Sequence, residues 1–339
     1  MSRLPVTDAR PTVVSLTAGT VLEPVHARRR EALAPHRLVY ADRGSAAGEI
    51  VSADYLLGDW THELRLDATA LDRAQRCRAV FQPTAGTETI DLERAAALGI
   101  PVANAPGAND RAVAEWTVMA ILALLKEAWR VHAGVEEGRW EMVSASEYGV
   151  YELGDRTVGI VGLGRIGQAV ARRLGPFALG RLVYADVRPA APGLERELGI
   201  ELVELDELCA VSDAVTLHLP LTESARGLIN ARRLGLLGPH AVLVNAARGA
   251  VVDEAALVAA LDGGTLKGAA LDVFSVEPLP PCSPLRGRPN VLLSPHLAGS
   301  TNEARERMIS STLANLDRVL RGDDPANVVN GVRGVRHRG

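Results

Sequence analysis

The stretch TVGIVGLGRIG at residues 157–167 decides the fold class of this 339-residue chain. Its first five residues, Thr157–Val161, form a nearly continuous apolar run. Such a run is typical of a strand that is covered on both faces of a parallel sheet. Three glycines follow at once with the spacing G-x-G-x-x-G and open a predicted helix. This order of strand, glycine turn and helix predicts a turn that binds a dinucleotide.

Each glycine has a physical purpose in a turn of this kind. Gly162 permits the tight turn, Gly164 has no side chain to keep the backbone from a pyrophosphate, and Gly167 lets helix and strand pack closely. The helix, predicted over Arg165–Leu174, offers free N–H groups and its positive dipole end to the phosphates. The residues predicted to bind the cofactor at this turn are Gly162, Gly164, Arg165, Ile166 and Gly167.

A carboxylate in the next strand indicates which dinucleotide binds. The predicted strand Leu182–Ala185 ends at Asp186, a little over ~20 residues beyond the first glycine, where this fold places an acidic residue. A carboxylate there hydrogen-bonds the ribose diol and repels a 2′-phosphate, so NAD is favoured over NADP. Arg188 lies close by and weakens that inference. The alternative is a structural glycine turn beside a surface carboxylate.

The rest of the chain alternates short apolar runs with helical stretches, which predicts an α/β fold with doubly wound parallel sheets. One long helix is predicted over Arg111–Arg130, and a last helix over Asn302–Arg321. The strands predicted before the glycine turn are Thr12–Leu16, Arg37–Tyr40, Ala53–Leu57, Arg78–Phe81 and Ile100–Ala103. Those predicted after Asp186 are Ala214–Leu217, Ala241–Asn245, Gly268–Val273 and Val291–Ser294.

Three ionisable residues follow the last three of these strands. They are Arg248, Glu277 and His296. Ligands of open α/β sheets bind outside the carboxyl ends of the strands, so we expect the three side chains to lie on the side where a nicotinamide would bind. The remaining histidines, His218 among them, lack such a setting. Each of the three residues alone is more often structural than functional, and only their shared edge beside the glycine turn favours a catalytic site.

The chemistry of the three residues suits the reduction of a ketone. Hydride addition creates an alkoxide that must gain a proton, and a histidine with a pKa near ~6.5 can donate and recover it near neutrality. Glu277 as a hydrogen-bond partner would orient the His296 imidazole and stabilise its charged form. Arg248 could hold a substrate carboxylate bidentately and polarise the neighbouring carbonyl oxygen.

Composition and charge exclude several other classes. The formal net charge of −4 gives no electrostatic reason to expect nucleic acid or an anionic membrane as partner. The longest strongly apolar stretch, Val118–Leu125, is far shorter than the ~20 residues of a membrane span. Three isolated cysteines, with no HExxH and no Cys/His cluster, predict neither a disulfide framework nor a metal site. An N-terminus without an apolar core predicts a cytoplasmic protein.

Taken in order, these motifs resemble the D-isomer-specific 2-hydroxyacid dehydrogenases. The resemblance covers about residues 38–330 and implies two Rossmann-like domains with a cleft between them. Residues 1–105 and 300–339 would form a discontinuous substrate domain, and residues 106–299 the NAD-binding domain. The stretches that carry it are Gly162–Gly167, Asn245–Gly249, Ala270–Phe274 with Glu277-Pro278, and Ser294–His296.

The resemblance also implies roles that spacing alone does not give. Asp272 would hold the carboxamide of the nicotinamide, and a homodimer would be the usual assembly. The loop after the strand Arg78–Phe81 would offer backbone N–H groups to a small 2-keto or 2-hydroxy acid. Further residues lining the dinucleotide would be Leu219, Pro220, Ala246 and Gly299. The substrate-binding set would be Ala85, Gly86, Thr87 and Arg248.

Other activities of the same family stay open as alternatives. Formate dehydrogenases carry Gln in place of Glu277, and phosphite dehydrogenases carry Lys in the loop at Ala85, so both substrates are disfavoured. Some relatives are NAD-sensing binding proteins, a reading that the composition supports little. Trp60, Gln82 and Trp116 are candidates for lining the pocket, although packing or a place at its rim is the more favoured role of each.

Overall fold

The structure is a computed structural model that describes residues 10–31, 33–61, 63–140, 142 and 149–335. It divides into two compact units. The first is Met1–Asn109 with Asn302–Gly339, and the second is Asp110–Thr301. The ends of the predicted substrate domain, residues 1–9 and 336–339, lie outside the described residues. The assignment of substrate to the first unit and of cofactor to the second stays a prediction.

The first unit contains a parallel sheet with the strand order β2-β1-β3-β4-β5. The chain leaves β1 for the β2 side and returns on the other side for β3, which makes the sheet doubly wound. Its inner strands are buried apolar runs, as in Val13, Val14 and Leu56, because helices cover both faces, while the edge strand Arg37–Tyr40 is partly exposed. The strands are β1 (Thr12–Ser15), β2 (Arg37–Tyr40), β3 (Tyr55–Leu57), β4 (Ala79–Phe81) and β5 (Val102–Ala103).

Short helices connect the strands of this sheet. Two of them begin at an aspartate whose side chain accepts a backbone N–H of the first turn, namely Asp67 from Ala70 and Asp91 from Arg94. Such caps satisfy N–H groups that a helix start leaves unpaired. The helices are α1 (Gly19–Arg29), α2 (Ala46–Glu49), α3 (Ala68–Arg73) and α4 (Leu92–Ala97).

The second unit contains a longer parallel sheet with the strand order β12-β11-β10-β9-β6-β7-β8. The glycine turn follows the strand in the middle, and the direction of winding reverses between β6 and β9, where this fold binds ligands. The strands are β6 (Thr157–Val161), β7 (Arg181–Ala185), β8 (Glu201–Leu202), β9 (Ala214–Leu217), β10 (Val242–Asn245), β11 (Gly268–Leu271) and β12 (Val291–Leu293).

Helices pack on both faces of the second sheet and close two apolar cores. The single helix predicted over Arg111–Arg130 is wrong, because the chain breaks near Glu127, which has a positive φ of 51°. The helices are α5 (Asp110–Leu125), α6 (Ala128–Glu136), α7 (Arg165–Leu174), α8 (Pro192–Leu198), α9 (Leu205–Val211), α10 (Ala231–Leu234) and α11 (Glu254–Asp262). Single 3-10 turns lie at Ile50–Ser52, Gly175–Phe177, Glu223–Ala225 and Gly249–Val251.

The last helix, α12 (Asn302–Leu320), belongs to the first unit. Its buried residues recur every three or four positions, as Ile309, Leu313, Leu316 and Val319. That stripe packs in one cluster with apolar residues of β1, β3 and β4, so the first sheet is covered by a helix from the far end of the chain.

The predicted fold class is confirmed, since both units are α/β and, in the described residues, the strands β1–β12 pair in parallel with their neighbours in each sheet. In the described residues no helix is long and apolar enough to cross a membrane. The carboxyl ends of β6, β9, β10, β11 and β12 meet at one edge of the second sheet. Most of the residues predicted to bind the cofactor or to act on the substrate follow these ends.

Candidate active site

The glycine turn after β6 has the close contacts that a dinucleotide-binding turn needs. Gly162 has a positive φ of 92°, and a Cβ there would lie 2.4 Å from the carbonyl oxygen of His218. A Cβ on Gly167 would lie 2.2 Å from the carbonyl oxygen of Gly162. By contrast, a Cβ on Gly164 would meet no described atom within 4 Å, so the backbone is open on that side. This is a cradle that phosphates can approach.

Asp186 lies directly after β7 and braces the glycine turn. Its Oδ2 accepts the N–H of Leu163 at 2.8 Å, and its Oδ1 accepts the N–H of Arg188 at 3.0 Å. A carboxylate has about four acceptor positions, so each oxygen can still accept a ribose hydroxyl. A cavity of about 280 Å³ lies beside it, lined among others by Gly164, Asp186, Arg188 and Leu194. The second unit therefore fits the nucleoside and phosphates of a dinucleotide.

His218 follows β9 and lies against the glycine turn, a setting that the sequence analysis missed. Its side chain is buried, and its Nε2 lies 2.9 Å from Oγ1 of Thr216. Burial lowers the pKa of His218 to about 3, so the imidazole is neutral at physiological pH. Its Nδ1 has no hydrogen-bond partner in the described part of the chain. The sequence signal that could have identified His218 is its position directly after β9, the strand that pairs with β6.

Other residues predicted to bind the cofactor lie around the same edge. Leu219 and Pro220 continue from His218, Ala246 follows β10, and Gly299 follows the loop after β12. Arg165 opens α7, and its Nε donates to Oδ2 of Asp110 at 2.8 Å. Ile166 packs against the core of the second unit. Their contacts with a dinucleotide stay predictions.

The turn that carries Arg248 is fixed by a buried amide, Asn245, at the end of β10. Asn245 Oδ1 accepts the N–H of Ala247 at 3.0 Å, and its Nδ2 donates to the carbonyl oxygen of Arg248 at 3.0 Å. Gly249 then lies so close to the loop after β11 that a Cβ would be 1.9 Å from the carbonyl carbon of Phe274. The Arg248 and Glu277 loops are therefore packed together.

Glu277 and His296 form a hydrogen-bonded pair. His296 Nδ1 donates to Glu277 Oε2 at 2.8 Å, and Glu277 Oε1 accepts the N–H of Phe274 at 2.9 Å. An ionised carboxylate can only accept, so the proton lies on Nδ1, and Nε2 is the nitrogen that can exchange a proton with substrate. His296 itself has a positive φ of 55°. For a residue other than glycine that is an uncommon backbone conformation.

The pair shifts both pKa values toward the charged forms. The hydrogen bond from His296 to Glu277 raises the pKa of His296, although burial opposes the shift and the charge of Arg248 weakens it. Burial works to raise the pKa of Glu277, but the hydrogen bonds from His296 and Phe274 N–H outweigh it and hold that pKa below its usual value. The positive charge of Arg248 favours ionised Glu277 and disfavours protonated His296.

Asp272 holds the loop that carries His296. Its buried carboxylate accepts the N–H groups of Leu297 at 2.7 Å and Ala298 at 2.8 Å, and the hydroxyl of Ser294. Its carbonyl oxygen accepts the N–H of His296 at 2.8 Å. Of about four acceptor positions on the carboxylate, one is left for another donor. The predicted contact with a nicotinamide carboxamide stays a prediction.

The residues of the first unit that were predicted to bind the substrate or to line its pocket lie in a loop and in the core beside it. Ala85, Gly86 and Thr87 form a loop after β4, at the carboxyl edge of the first sheet. Gln82 is buried beneath that loop, while Trp60 packs against the core of the same unit. In the second unit, Trp116 packs against the core. Among the described residues, no group of three or more His, Cys, Asp and Glu could hold a metal ion.

Comparison with known proteins gives a family. Residues 118–298 match the family model described as D-isomer specific 2-hydroxyacid dehydrogenase, NAD binding domain. The chain is 40% identical over 266 residues to a glyoxylate reductase of Korarchaeum cryptofilum, which covers 78% of this chain and 80% of that relative. It is 37% identical over 294 residues to a D-3-phosphoglycerate dehydrogenase of Mycobacterium bovis, covering 86% of this chain and 54% of that relative.

The fold also matches solved structures of related enzymes. One is an NADPH-dependent glyoxylate/hydroxypyruvate reductase from Sinorhizobium meliloti in complex with NADP and malonate. That structure has a TM-score of 0.81 and 30% sequence identity, and the match covers 97% of this chain and 100% of that chain. The similarity thus extends over both units.

Proposed function

Because this chain belongs to the D-isomer specific 2-hydroxyacid dehydrogenases, an oxidoreductase family with a nicotinamide dinucleotide cofactor, we propose that it interconverts a 2-keto acid and a D-2-hydroxy acid, with His296 as acid and base. The observation that carries the proposal is the 2.8 Å hydrogen bond between His296 and Glu277, on the sheet edge that also holds the glycine turn. A histidine oriented in this way can hold a proton where a ketone oxygen needs one.

The bound cofactor supplies or accepts a hydride at C4 of its nicotinamide ring. In the direction of reduction, His296 donates the Nε2 proton to the substrate oxygen that becomes a hydroxyl. In oxidation, the neutral imidazole takes that proton back. Glu277 keeps Nδ1 protonated in both directions, so that Nε2 is always the nitrogen that gains and loses the proton.

Arg248 is proposed to bind the substrate. Its permanently charged guanidinium can pair with the substrate carboxylate and stabilise negative charge on the neighbouring oxygen. The buried amide of Asn245 and the contact of Gly249 with Phe274 fix the backbone at Arg248. A fixed donor costs little rearrangement when charge develops in the transition state.

We propose NAD rather than NADP as the preferred cofactor. In this proposal the carboxylate of Asp186 accepts a hydrogen bond from the adenosine ribose and repels a 2′-phosphate. Arg188, on the rim of the same cavity, would act in the opposite sense and reduce the preference. For the substrate, relatives named glyoxylate reductase favour a compact 2-keto acid of the glyoxylate class. The homodimer and the cytoplasmic location stay predictions.

The direct test mixes purified protein with NADH or NADPH and a panel of acids, and follows the absorbance of the reduced cofactor. We expect glyoxylate and hydroxypyruvate to be reduced with NADH and more slowly with NADPH. Formate and phosphite with NAD should give no reduced cofactor. The variant His296→Ala should lose ~10²–10⁴-fold in kcat, which is what general acid catalysis usually contributes.

The matched control is His240→Ala. His240 lies just before β10, at the opposite end of that strand from Arg248. Its side chain is exposed and contacts the hydroxyl of Tyr151. Its removal should leave kcat unchanged. An His296→Ala protein with kcat close to that of the wild type would contradict the acid–base assignment, and a wild type inactive on every 2-keto acid would contradict the proposed activity.

A further inference from the structure

The loop after β4 presents two backbone donors. Within the described residues, neither the N–H of Gly86 nor that of Thr87 has a hydrogen-bond partner, and both residues are half-buried. Free N–H groups in partly buried backbone are uncommon, because the group loses water without gaining an acceptor. Two such donors in succession can bind an anion such as a carboxylate.

The carbonyls of the same two peptide groups are held by side chains. Asn104, just after β5, donates from Nδ2 to the carbonyl oxygen of Ala85 at 2.7 Å. The hydroxyl of Thr84 donates to the carbonyl oxygen of Gly86 at 2.9 Å. Asn104 follows β5 and Thr84 lies in the loop itself, so the two carbonyls turn toward these two side chains.

Peptide planarity converts the direction of a carbonyl into the direction of an N–H. In a trans peptide the C=O and the following N–H point to opposite sides. The Ala85 carbonyl shares its peptide group with the N–H of Gly86, and the Gly86 carbonyl shares one with the N–H of Thr87. Fixing both carbonyls toward Asn104 and Thr84 therefore aims both N–H groups away from these two side chains.

Gln82 sets the direction of the Thr84 hydroxyl. Its buried Nε2 donates to the carbonyl oxygen of Asp59 at 3.1 Å and to Oγ1 of Thr84 at 2.8 Å. The Asp59 carbonyl can only accept, so the amide nitrogen of Gln82 must face it. The same nitrogen donates to the Thr84 hydroxyl. The hydroxyl therefore donates its own proton to the carbonyl oxygen of Gly86. Gly58 makes room for this amide, since a Cβ there would lie 1.8 Å from Gln82 Oε1.

We propose that Thr84 and Asn104, with Gln82 behind Thr84, are positioning residues that aim the N–H groups of Gly86 and Thr87 at the carboxylate of the substrate. This inference rests on the proposed function, because the anion is the carboxylate of a 2-keto acid. The side chains themselves do not touch the substrate. They decide whether the loop offers two aligned donors or a mobile backbone.

The test removes each hydrogen bond separately and measures carboxylate binding. The variants are Thr84→Val, which keeps the shape of the side chain, Thr84→Ser, which restores the hydroxyl, and Asn104→Ala. Calorimetry gives the Kd of oxamate, an unreactive analogue with a carboxylate, for the NADH-bound protein. Kinetics compare glyoxylate with its methyl ester, and fluorescence gives the Kd of NADH.

We expect Thr84→Val and Asn104→Ala to weaken oxamate roughly tenfold or more, since hydrogen bonds to charged groups carry that much binding. The KM for glyoxylate should rise in parallel. The Kd of NADH and the kcat/KM for the ester should stay within about twofold, because the ester has no carboxylate. Thr84→Ser should bind oxamate almost as the wild type does.

Two control variants remove similar bonds elsewhere in the first unit. Ser52→Ala removes an exposed hydroxyl that donates to the carbonyl of Glu49 at 3.0 Å. Asn330→Ala removes an amide that donates to the carbonyl of Ile100 at 2.8 Å, just before β5. Neither should change oxamate binding, even where the protein is less stable.

Unchanged oxamate binding in both Thr84→Val and Asn104→Ala would overturn the inference, as would equal losses on glyoxylate and its ester. If Thr84→Val does not fold, Asn104→Ala at its more exposed position decides the matter. A wild type that binds oxamate with the expected variant pattern but reduces no 2-keto acid would leave the loop inference standing and remove the proposed function. A wild type that binds no oxamate would overturn both.

Discussion

The hydrogen bond between Glu277 and His296 ties the acid–base chemistry of the site to one negative charge. Since Glu277 raises the pKa of His296, the imidazolium persists to higher pH than in an isolated histidine. Reduction needs the imidazolium, so its rate is full below this pKa and falls as pH rises through it. Oxidation needs the neutral imidazole and shows the opposite dependence.

Replacing the carboxylate with an amide should shift both profiles. In Glu277→Gln the amide oxygen can accept from Nδ1 only if the amide nitrogen takes the position facing the N–H of Phe274, so that bond is lost. The negative charge is also gone, and burial then lowers the pKa of His296. We expect kcat/KM for reduction to decline at lower pH than in the wild type, and oxidation to begin at lower pH. Steady-state kinetics in both directions between about pH 5 and 9 measure the shift around the histidine range.

Glu197→Gln is the control for the loss of one negative charge, since Glu197 forms an exposed ion pair with Arg172 on the same unit. Its profiles should superimpose on those of the wild type. If Glu277→Gln lowered the rate at every pH with no shift of either limb, the carboxylate would act on geometry alone, contrary to this assignment.

Residue by residue, sequence reasoning was strongest where chemistry and strand ends coincide. Arg248, Glu277 and His296 each follow a strand, and the structure brings Glu277 and His296 into contact. It was weaker for residues that act through distant partners. Asp272 accepts from a loop more than 20 positions away, which no local pattern shows. The contacts of Asn245 and His218 likewise depend on turns that only the folded backbone defines.

The break between α5 and α6 shows how tertiary electrostatics override an element predicted from periodicity. The apolar pattern continues past Leu125, so it predicts one helix. In the structure, the buried carboxylate of Glu127 pairs with the buried ammonium of Lys267, next to the start of β11. Glu127 adopts a left-handed backbone there, and the next helix starts at Ala128. A sequence window contains no signal of a partner 140 residues away.

Removing one member of this pair should destabilise the second unit strongly. Glu127→Gln removes the carboxylate that pairs with the buried Lys267 ammonium, and breaking a buried ion pair usually costs about 3–5 kcal/mol. We expect a loss of that order in the free energy of unfolding, measured by urea denaturation. The double variant Glu127→Gln with Lys267→Met should recover part of the loss, because the buried ammonium is then removed as well.

Glu201→Gln provides the comparison at the surface. Glu201 pairs with Arg181 across β7 and β8, and both side chains are largely exposed. Its loss should change stability far less than the loss of Glu127, as is usual for exposed pairs. Equal effects of Glu127→Gln and Glu201→Gln would show that the buried pair does not hold the break in place.

For the other strands and helices, the length of the element decided whether it could be predicted from the sequence. The apolar strands β6, β9 and β10 were predicted almost to their observed bounds. The strand β8 was missed because it has only the residues Glu201–Leu202 and both are exposed. Short helices such as α3 were missed for a similar reason, since six residues contain too little periodicity to be recognised.

For the whole molecule, each unit has its own apolar cores, which predicts that the second unit can fold alone. It is one continuous segment, Asp110–Thr301, whose two core clusters contain residues of that segment only. A protein of residues 110–301 should unfold cooperatively on heating. It should also bind NADH, measured by fluorescence titration, because the glycine turn and Asp186 lie within it.

Residues 1–109 provide the contrasting fragment. They lack α12, whose Ile309, Leu313 and Leu316 complete one of the cores of the first unit. This fragment should show no cooperative transition until residues 302–335 are added back. Non-cooperative melting of residues 110–301, or cooperative melting of residues 1–109 alone, would contradict this division of the cores.

The position of α12 in the chain also has a consequence during synthesis. The ribosome makes the first sheet early, but the helix that covers it emerges only after about 190 further residues. At the usual rate of translation that interval lasts roughly 10–40 s. During that interval the apolar face of the first sheet stays exposed. We therefore expect chaperones to bind nascent chains of this enzyme until α12 leaves the exit tunnel.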